Sequence, residues 1–314
     1  MGYPRHMTVD PDAPCFYHCI SRCVRRAWLC GQDPASGRNF DHRRGWIEAR
    51  MLALADSFAV SLYAWAVMSN HTHVVLRIDP EQPRKWSDAE VARRWARIAR
   101  TLEAPTEREV ERRVLVLLQQ PARLEELRRR LGNLSWFMRF LNECIARQAN
   151  AEDECTGRFW EGRYRCQALL DEAAVLACMS YVDLNPIRAG LADNLEDSEF
   201  TSVCKRLEVL RQGRSRREDR LRPLGGAHED VGPAITVGGY LRLLEWTGGL
   251  SGHSMALPVL AVAPIGTEAP SVSHHWWRSS VLAIERTFGS AVGLPLTLRK
   301  FAEATGRQWV RGVA

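Results

Sequence analysis

Hydrophobic positions change their period repeatedly along the chain, and each change marks an element. Residues 15–24, CFYHCISRCV, alternate Phe16, His18, Ile20 and Arg22 with Cys15, Cys19 and Cys23, which predicts a strand. After a Gly/Asp/Pro/Ser loop at 31–38, residues 41–57 place Trp46, Ile47, Met51, Leu54 and Ala55 at helical spacing, with Asp41 as the expected N-cap. Residues 58–67, FAVSLYAWAV, and 72–78 read as two more strands joined at Ser69-Asn70, so the chain begins β-α-β-β.

Residues 84–131 are dense in Arg and Glu and predict helices near 88–102 and 106–131, parted at Ala104-Pro105. Their charges suit solvated faces with i,i+4 pairs. Residues 134–149 form an amphipathic helix on Leu134, Phe137, Met138, Leu141 and Ile145. A turn and strand follow at 156–169, then a helix over 171–184 capped by Asp171 and ended at Asn185-Pro186. The expected fold is α+β: a β-α-β-β-α-β, ferredoxin-like split βαβ core with an antiparallel sheet and one appended helix. To this are added a helical insertion at about 79–133 and a helical C-terminal extension. Beyond residue 203 the chain reads as a separate region. It has a basic stretch at 205–222, a Gly/Pro-rich linker at 223–239, a turn-prone stretch at 258–272, and helices near 238–247, 275–289 and 296–310.

Composition narrows the classes. The chain of 314 residues carries a net charge of +6 and a pI near 9.0, which suits a polyanionic partner without demanding one. Of its cations only Lys85, Lys205 and Lys300 are lysines; this skew toward the better phosphate fork is explained equally well by genome base composition. No apolar run is long enough for a transmembrane helix, and the N-terminus has no secretory h-region, so a cytoplasmic protein is expected. The cysteines, nine in number and without C-x-x-C spacing, read as reduced thiols, with Cys15, Cys19 and Cys23 as small core residues rather than zinc ligands.

Chemistry concentrates in two stretches. His71 and His73 lie two apart on a strand, so both imidazoles project from one face, about 7 Å apart, and can close on one divalent ion. Alone they read equally as half-buried strand histidines. In 178–191, CMSYVDLNPIRAGL, Tyr181 and Asn185 share a helix face one turn apart. Taken together, CFYHCISR at 15–22, YAWAVMSNHTHVVL at 63–76, GRFWEGRYR at 157–165 and YVDLNPIRAGL at 181–191 resemble, in order, the single-tyrosine HUH transposases. The likeness is strongest to the REP-associated tyrosine transposases and covers roughly 12–78 and 134–203.

The resemblance implies a catalytic domain over 1–203. In it Tyr181 is the nucleophile, His71, His73 and Asn185 hold Mg²⁺ or Mn²⁺, and single-stranded DNA with hairpins is cut and rejoined through a 5′-phosphotyrosine. It leaves a monomer or a homodimer open. Arg22, Arg163, Arg165 and Arg188 are candidate DNA phosphate contacts, each equally readable as a surface arginine. Tyr164 is the rival nucleophile. His18 faces the same way as Arg22 and reads as a structural histidine. His274-His275 beside Trp276-Trp277 reads as helix packing. The 205–222 stretch is a candidate non-catalytic DNA contact or a solvated helix. The alternatives are a domesticated DNA- or RNA-binding protein that keeps the fold without cleavage, and a phosphodiesterase in which Tyr181 is structural.

Overall fold

The structure is a computed structural model that describes residues 8–10, 12–24, 29–33, 37–99, 101–226, 232–250 and 272–312. The linker residues 227–231 and nearly all of the turn-prone 258–272 stretch lie outside the described residues.

Strands β1 (Cys15–Arg22), β2 (Val60–Val67), β3 (His71–Ile78), β4 (Arg165–Leu169) and β5 (Ala291–Val292) form one sheet in the order β2-β3-β1-β4-β5. The first three pairings are antiparallel, and β5 lies parallel to β4 through Ala168–Ala291 and Leu169–Val292. The sheet is therefore mixed, a correction to the expected antiparallel one. A two-residue strand leaves no periodicity to read in a sequence. The turn and strand expected over 156–169 are present: residues 161–163 bend, and β4 follows.

Strand alternation sorts the side chains to two faces. Trp65, Val74 and Cys19 stand beside one another, and Trp65 Nε1 donates to Glu48 of helix α1 (His42–Ser57) at 2.9 Å. On the same face Ser21 and Asn142 exchange hydrogen bonds, which brings in helix α5 (Leu134–Glu152). His18, Ile20, Arg22, His71, His73 and Gln167 point to the opposite face. That face is covered by helix α6 (Glu172–Asp183), whose residues 173–180 are all buried. The sheet is thus a buried middle layer, and both faces of β2 are inaccessible.

Between β3 and α5 the chain forms a 3₁₀ turn and helices α2 (Asp88–Arg97), α3 (Glu107–Leu118) and α4 (Pro121–Leu131). The single helix expected over 106–131 is broken at Pro121, which begins α4 because it has no N–H to give an upstream carbonyl. Thr106 and Glu109 close a capping box on α3. Asp41 occupies the N-cap position of α1 but makes no side-chain cap bond; its carboxylate pairs with Arg44 at 3.1 Å instead. Asp171 does cap α6, accepting from Ala174 N at 2.8 Å.

The region expected to stand apart after residue 203 is built into this core. Helix α7 (Asn185–Arg188) ends the motif, and helices α8 (Ser202–Arg211), α9 (Val237–Leu250), α10 (His274–Thr287) and α11 (Pro295–Ala304) follow. The backbone of 200–225 seals the free edge of β2, with Val67 N bonded to Phe200 O at 3.3 Å and Leu62 N to Gly225 O at 2.9 Å. Asp171 Oδ2 accepts from Leu294 N at 2.8 Å and so fixes the start of α11. Trp276, Trp277, Val281 and Ile284 of α10 are buried in the same hydrophobic cluster as α6, so the tryptophans of that run pack as expected, whereas His274 and His275 beside them are exposed. No helix among the described residues is long and apolar enough to cross a membrane.

Candidate functional site

His71 and His73 open β3, and antiparallel register sets Arg22 opposite His71 and Ile20 opposite His73. Their rings lie edge to face with centroids 4.7 Å apart. Helix α6 crosses the same face and brings the Tyr181 ring to 5.6 Å from that of His73. Asn185, one turn on, sets its amide Nδ2 3.0 Å from His73 Nε2. His71, His73, Tyr181 and Asn185, singled out in the sequence, are therefore neighbours in space.

His73 is fully buried, and both of its ring nitrogens are engaged. Its Nδ1 meets His18 Nε2 at 2.9 Å, and His18 Nδ1 meets Gln167 Oε1 at 3.0 Å. Gln167 in turn donates to Gly289 O at 2.9 Å. His18 has both ring nitrogens partnered, as a structural histidine should, and one partner is the site itself. His71 Nδ1 lies 2.6 Å from Asn70 Oδ1, so the polar break before β3 orients the ring.

Electrostatics keep these imidazoles neutral. Burial, joined by the nearby Arg22 charge, brings His71 down to about 4; burial brings His18 to about 4. His73 is pushed well below the ordinary histidine range by burial and then by its histidine neighbours. Neutral imidazole is the state that ligates metal. Tyr181 is moved the other way: burial and the Glu285 carboxylate both raise its phenol above the usual value.

Glu285, on α10, is the residue that sequence reading did not find. Its Oε1 accepts the Tyr181 hydroxyl at 3.0 Å and stands 4.0 Å from His73 Nε2, while its Oε2 pairs with Arg165 at 2.9 Å. A lone glutamate in a helix outside the motif region carried no signal. Its significance lies only in the docking of α10 on α6.

The four arginines fall in different places. Arg165 reaches the site through Glu285. Arg188 is turned inward: it donates to Tyr181 O at 2.5 Å and to Val281 O, and its guanidinium lies 4.4 Å from the Tyr181 ring centre. Arg22 is exposed at the end of β1 opposite His71. Arg163 is exposed in the bend before β4, and no described contact joins it to the histidines. The rival Tyr164 is buried in the main hydrophobic cluster.

Asp183, within the tyrosine motif, anchors the C-terminal helices. It is fully buried; Oδ1 accepts from Ser202 Oγ and from Val203 N at 3.1 Å, and Oδ2 accepts from Tyr240 OH at 2.6 Å. One carboxylate thus holds the first turn of α8, which Thr201 caps, and ties α9 to the helix that carries Tyr181.

The donor set suits the divalent ion that the motifs imply. Two neutral imidazoles and an amide that can present its oxygen after a half-turn, with a carboxylate close by, are nitrogen and oxygen donors of the kind Mg²⁺ and Mn²⁺ accept. Among the described residues no three His, Cys, Asp or Glu side chains form a metal-binding group, so the set depends on the Asn185 amide.

No family model matches the chain, and no curated protein does. Among solved structures, that of a REP-associated tyrosine transposase bound to a REP hairpin is similar. The identity is 12%, the TM-score 0.39, and the match covers 75% of this chain and 97% of that one. This is a distant structural likeness.

Proposed function

We propose that the chain is a metal-dependent endonuclease and strand transferase of the single-tyrosine HUH type, acting on single-stranded DNA at hairpin-forming ends. The observation that carries this reading is the meeting, on one sheet face, of the two histidines of β3 with Tyr181 and Asn185 of the α6–α7 segment. The sheet order β2-β3-β1-β4 supports a ferredoxin-like core beneath it.

Tyr181 Oη attacks a backbone phosphorus in line. Its O–P bond forms as the P–O3′ bond breaks, leaving a 5′-phosphotyrosine and a 3′-hydroxyl. The phenolic proton passes to Glu285, which already accepts it in a hydrogen bond, and the leaving oxygen takes a proton from water. Because the phenol is held protonated by burial, this acceptor matters more than it would for an exposed tyrosine. His71, His73 and Asn185 would hold Mg²⁺ or Mn²⁺, which when bound offsets charge on the phosphate oxygens. His18 and Gln167 fix the His73 ring, as outer hydrogen bonds do for ligating histidines. Attack of another 3′-hydroxyl on the phosphotyrosine rejoins the strand and frees Tyr181, so the phosphodiester energy is kept without ATP.

One observation favours the second reading, a nucleic-acid-binding protein without cleavage: both ring nitrogens of His73 are already hydrogen-bonded. The two readings part on a denaturing gel. A labelled hairpin oligonucleotide with Mn²⁺ gives a covalent protein band that Tyr181→Phe and His73→Ala abolish. Binding without any band selects the second reading.

A further inference from the structure

On the sheet face opposite the histidines, helices α1, α2, α4 and α5 border an open 360 Å³ cavity whose lining includes Arg50, Arg123, Arg130, Arg139 and Arg147. Its charge is only partly answered. Arg123 and Arg130 share the single carboxylate of Glu126, and Arg139 and Arg147 share that of Glu143. Arg50 has neither: it is 7% exposed, donates Nη2 to Ala99 O at 2.7 Å, and its Nε finds no hydrogen-bond partner among the described residues. Five guanidiniums against two carboxylates, one of them buried with a donor unused, is an excess that an anion would relieve.

The aromatic wall says which part of a nucleic acid fits. Trp136 lies beneath two guanidiniums, Arg130 at 4.0 Å and Arg139 at 5.0 Å from its ring centre. A ring so covered holds arginines in place rather than offering itself to a base. Guanidinium forks held by cation–π contact bind phosphate oxygens in pairs.

We propose that this cavity clamps the phosphate backbone of the DNA substrate, away from the cleavage face; the proposal rests on the DNA-processing reading above. The clamp reads charge and not sequence. The helical insertion supplies α4 and so has a role in holding DNA that the catalytic motifs do not express.

The test measures equilibrium binding of a fluorescent hairpin oligonucleotide across a salt series for wild type, Arg139→Ala/Arg147→Ala and Arg139→Lys/Arg147→Lys. Both side chains are more than half exposed, at 61% and 56%, so the substitutions leave the fold intact. The alanine pair is expected to lose about tenfold in affinity for every sequence tried and to lower the salt slope by about two, with the lysine pair recovering most of both. Unchanged affinity and slope, with wild type still forming its covalent adduct, overturn the clamp and leave the proposed function standing. No DNA binding by wild type overturns both. Saturable binding of inorganic phosphate that the alanine pair loses while keeping its DNA affinity makes the cavity a small-anion site and overturns the backbone assignment.

Discussion

Tyr181 donates its hydroxyl hydrogen to Glu285 over 3.0 Å although the two stand 104 positions apart in the chain. The contact joins the tyrosine motif to a helix of the C-terminal extension. It makes the environment of the proposed nucleophile depend on residues far outside the motifs.

Glu285→Gln removes the charge that helps to hold the phenol protonated. Tyr181 should then ionise at lower pH, visible in an ultraviolet pH titration from which the Tyr181→Phe trace is subtracted. The same change deprives the attack of its proton acceptor, so single-turnover adduct formation should fall about a hundredfold. A variant that keeps the wild-type rate excludes Glu285 from proton transfer.

The buried histidines give stability a defined pH dependence. His18 and His71 titrate near 4 in the folded chain, against about 6.5 unfolded. Between these values the unfolded chain binds more protons, so their contribution is intact above about 6.5 and is lost as pH falls toward 4. Asp183, raised to about 6 by burial, works in the opposite sense over the window from its ordinary value to 6. Denaturant unfolding of His18→Gln should therefore lose about 2 kcal/mol less than wild type between pH 7 and 4.5.

Asp183→Ala should destabilise the chain by about 3 kcal/mol or more in urea unfolding, because it strands the Ser202, Val203 and Tyr240 donors around the buried Arg206. Tyr240→Phe removes one donor and should cost about 1–2 kcal/mol. Equal effects of the two would mean that the carboxylate anchors α9 alone.

The arginines should separate by role. Arg188→Ala breaks two hydrogen bonds to carbonyls of α6 and α10 and should cost about 2 kcal/mol in thermal or urea unfolding. Arg22→Ala and Arg163→Ala, both exposed, should change stability by no more than about 0.5 kcal/mol. A loss of DNA affinity in these two, measured by anisotropy, would mark them as phosphate contacts.

Much of this arrangement is legible in the chain because it is local. The alternation that puts His71 and His73 on one face, the four-residue step from Tyr181 to Asn185 and the Asp171 cap each follow from backbone geometry over a few residues. The succession of the first four strands along the chain follows from their patterns. What escapes is tertiary. Ala291–Val292 is too short to carry a period, and Glu285 looks like any other helix glutamate; the break at Pro121, by contrast, is a local signal that the single helix expected over 106–131 passed over. The seal on the edge of β2 and the anchoring by Asp183 also need partners distant in sequence, and those partners make the C-terminal region part of the core.

Mass spectrometry of the covalent adduct decides whether Tyr181 is the nucleophile. Wild-type protein is incubated with Mn²⁺ and a hairpin-bearing oligonucleotide, digested with nuclease and protease, and searched for a phosphonucleotide-modified peptide. The modification is expected on Tyr181, in the peptide that carries YVDLNP. Modification of Tyr164, or bound and cleaved DNA with no modified tyrosine, would contradict it.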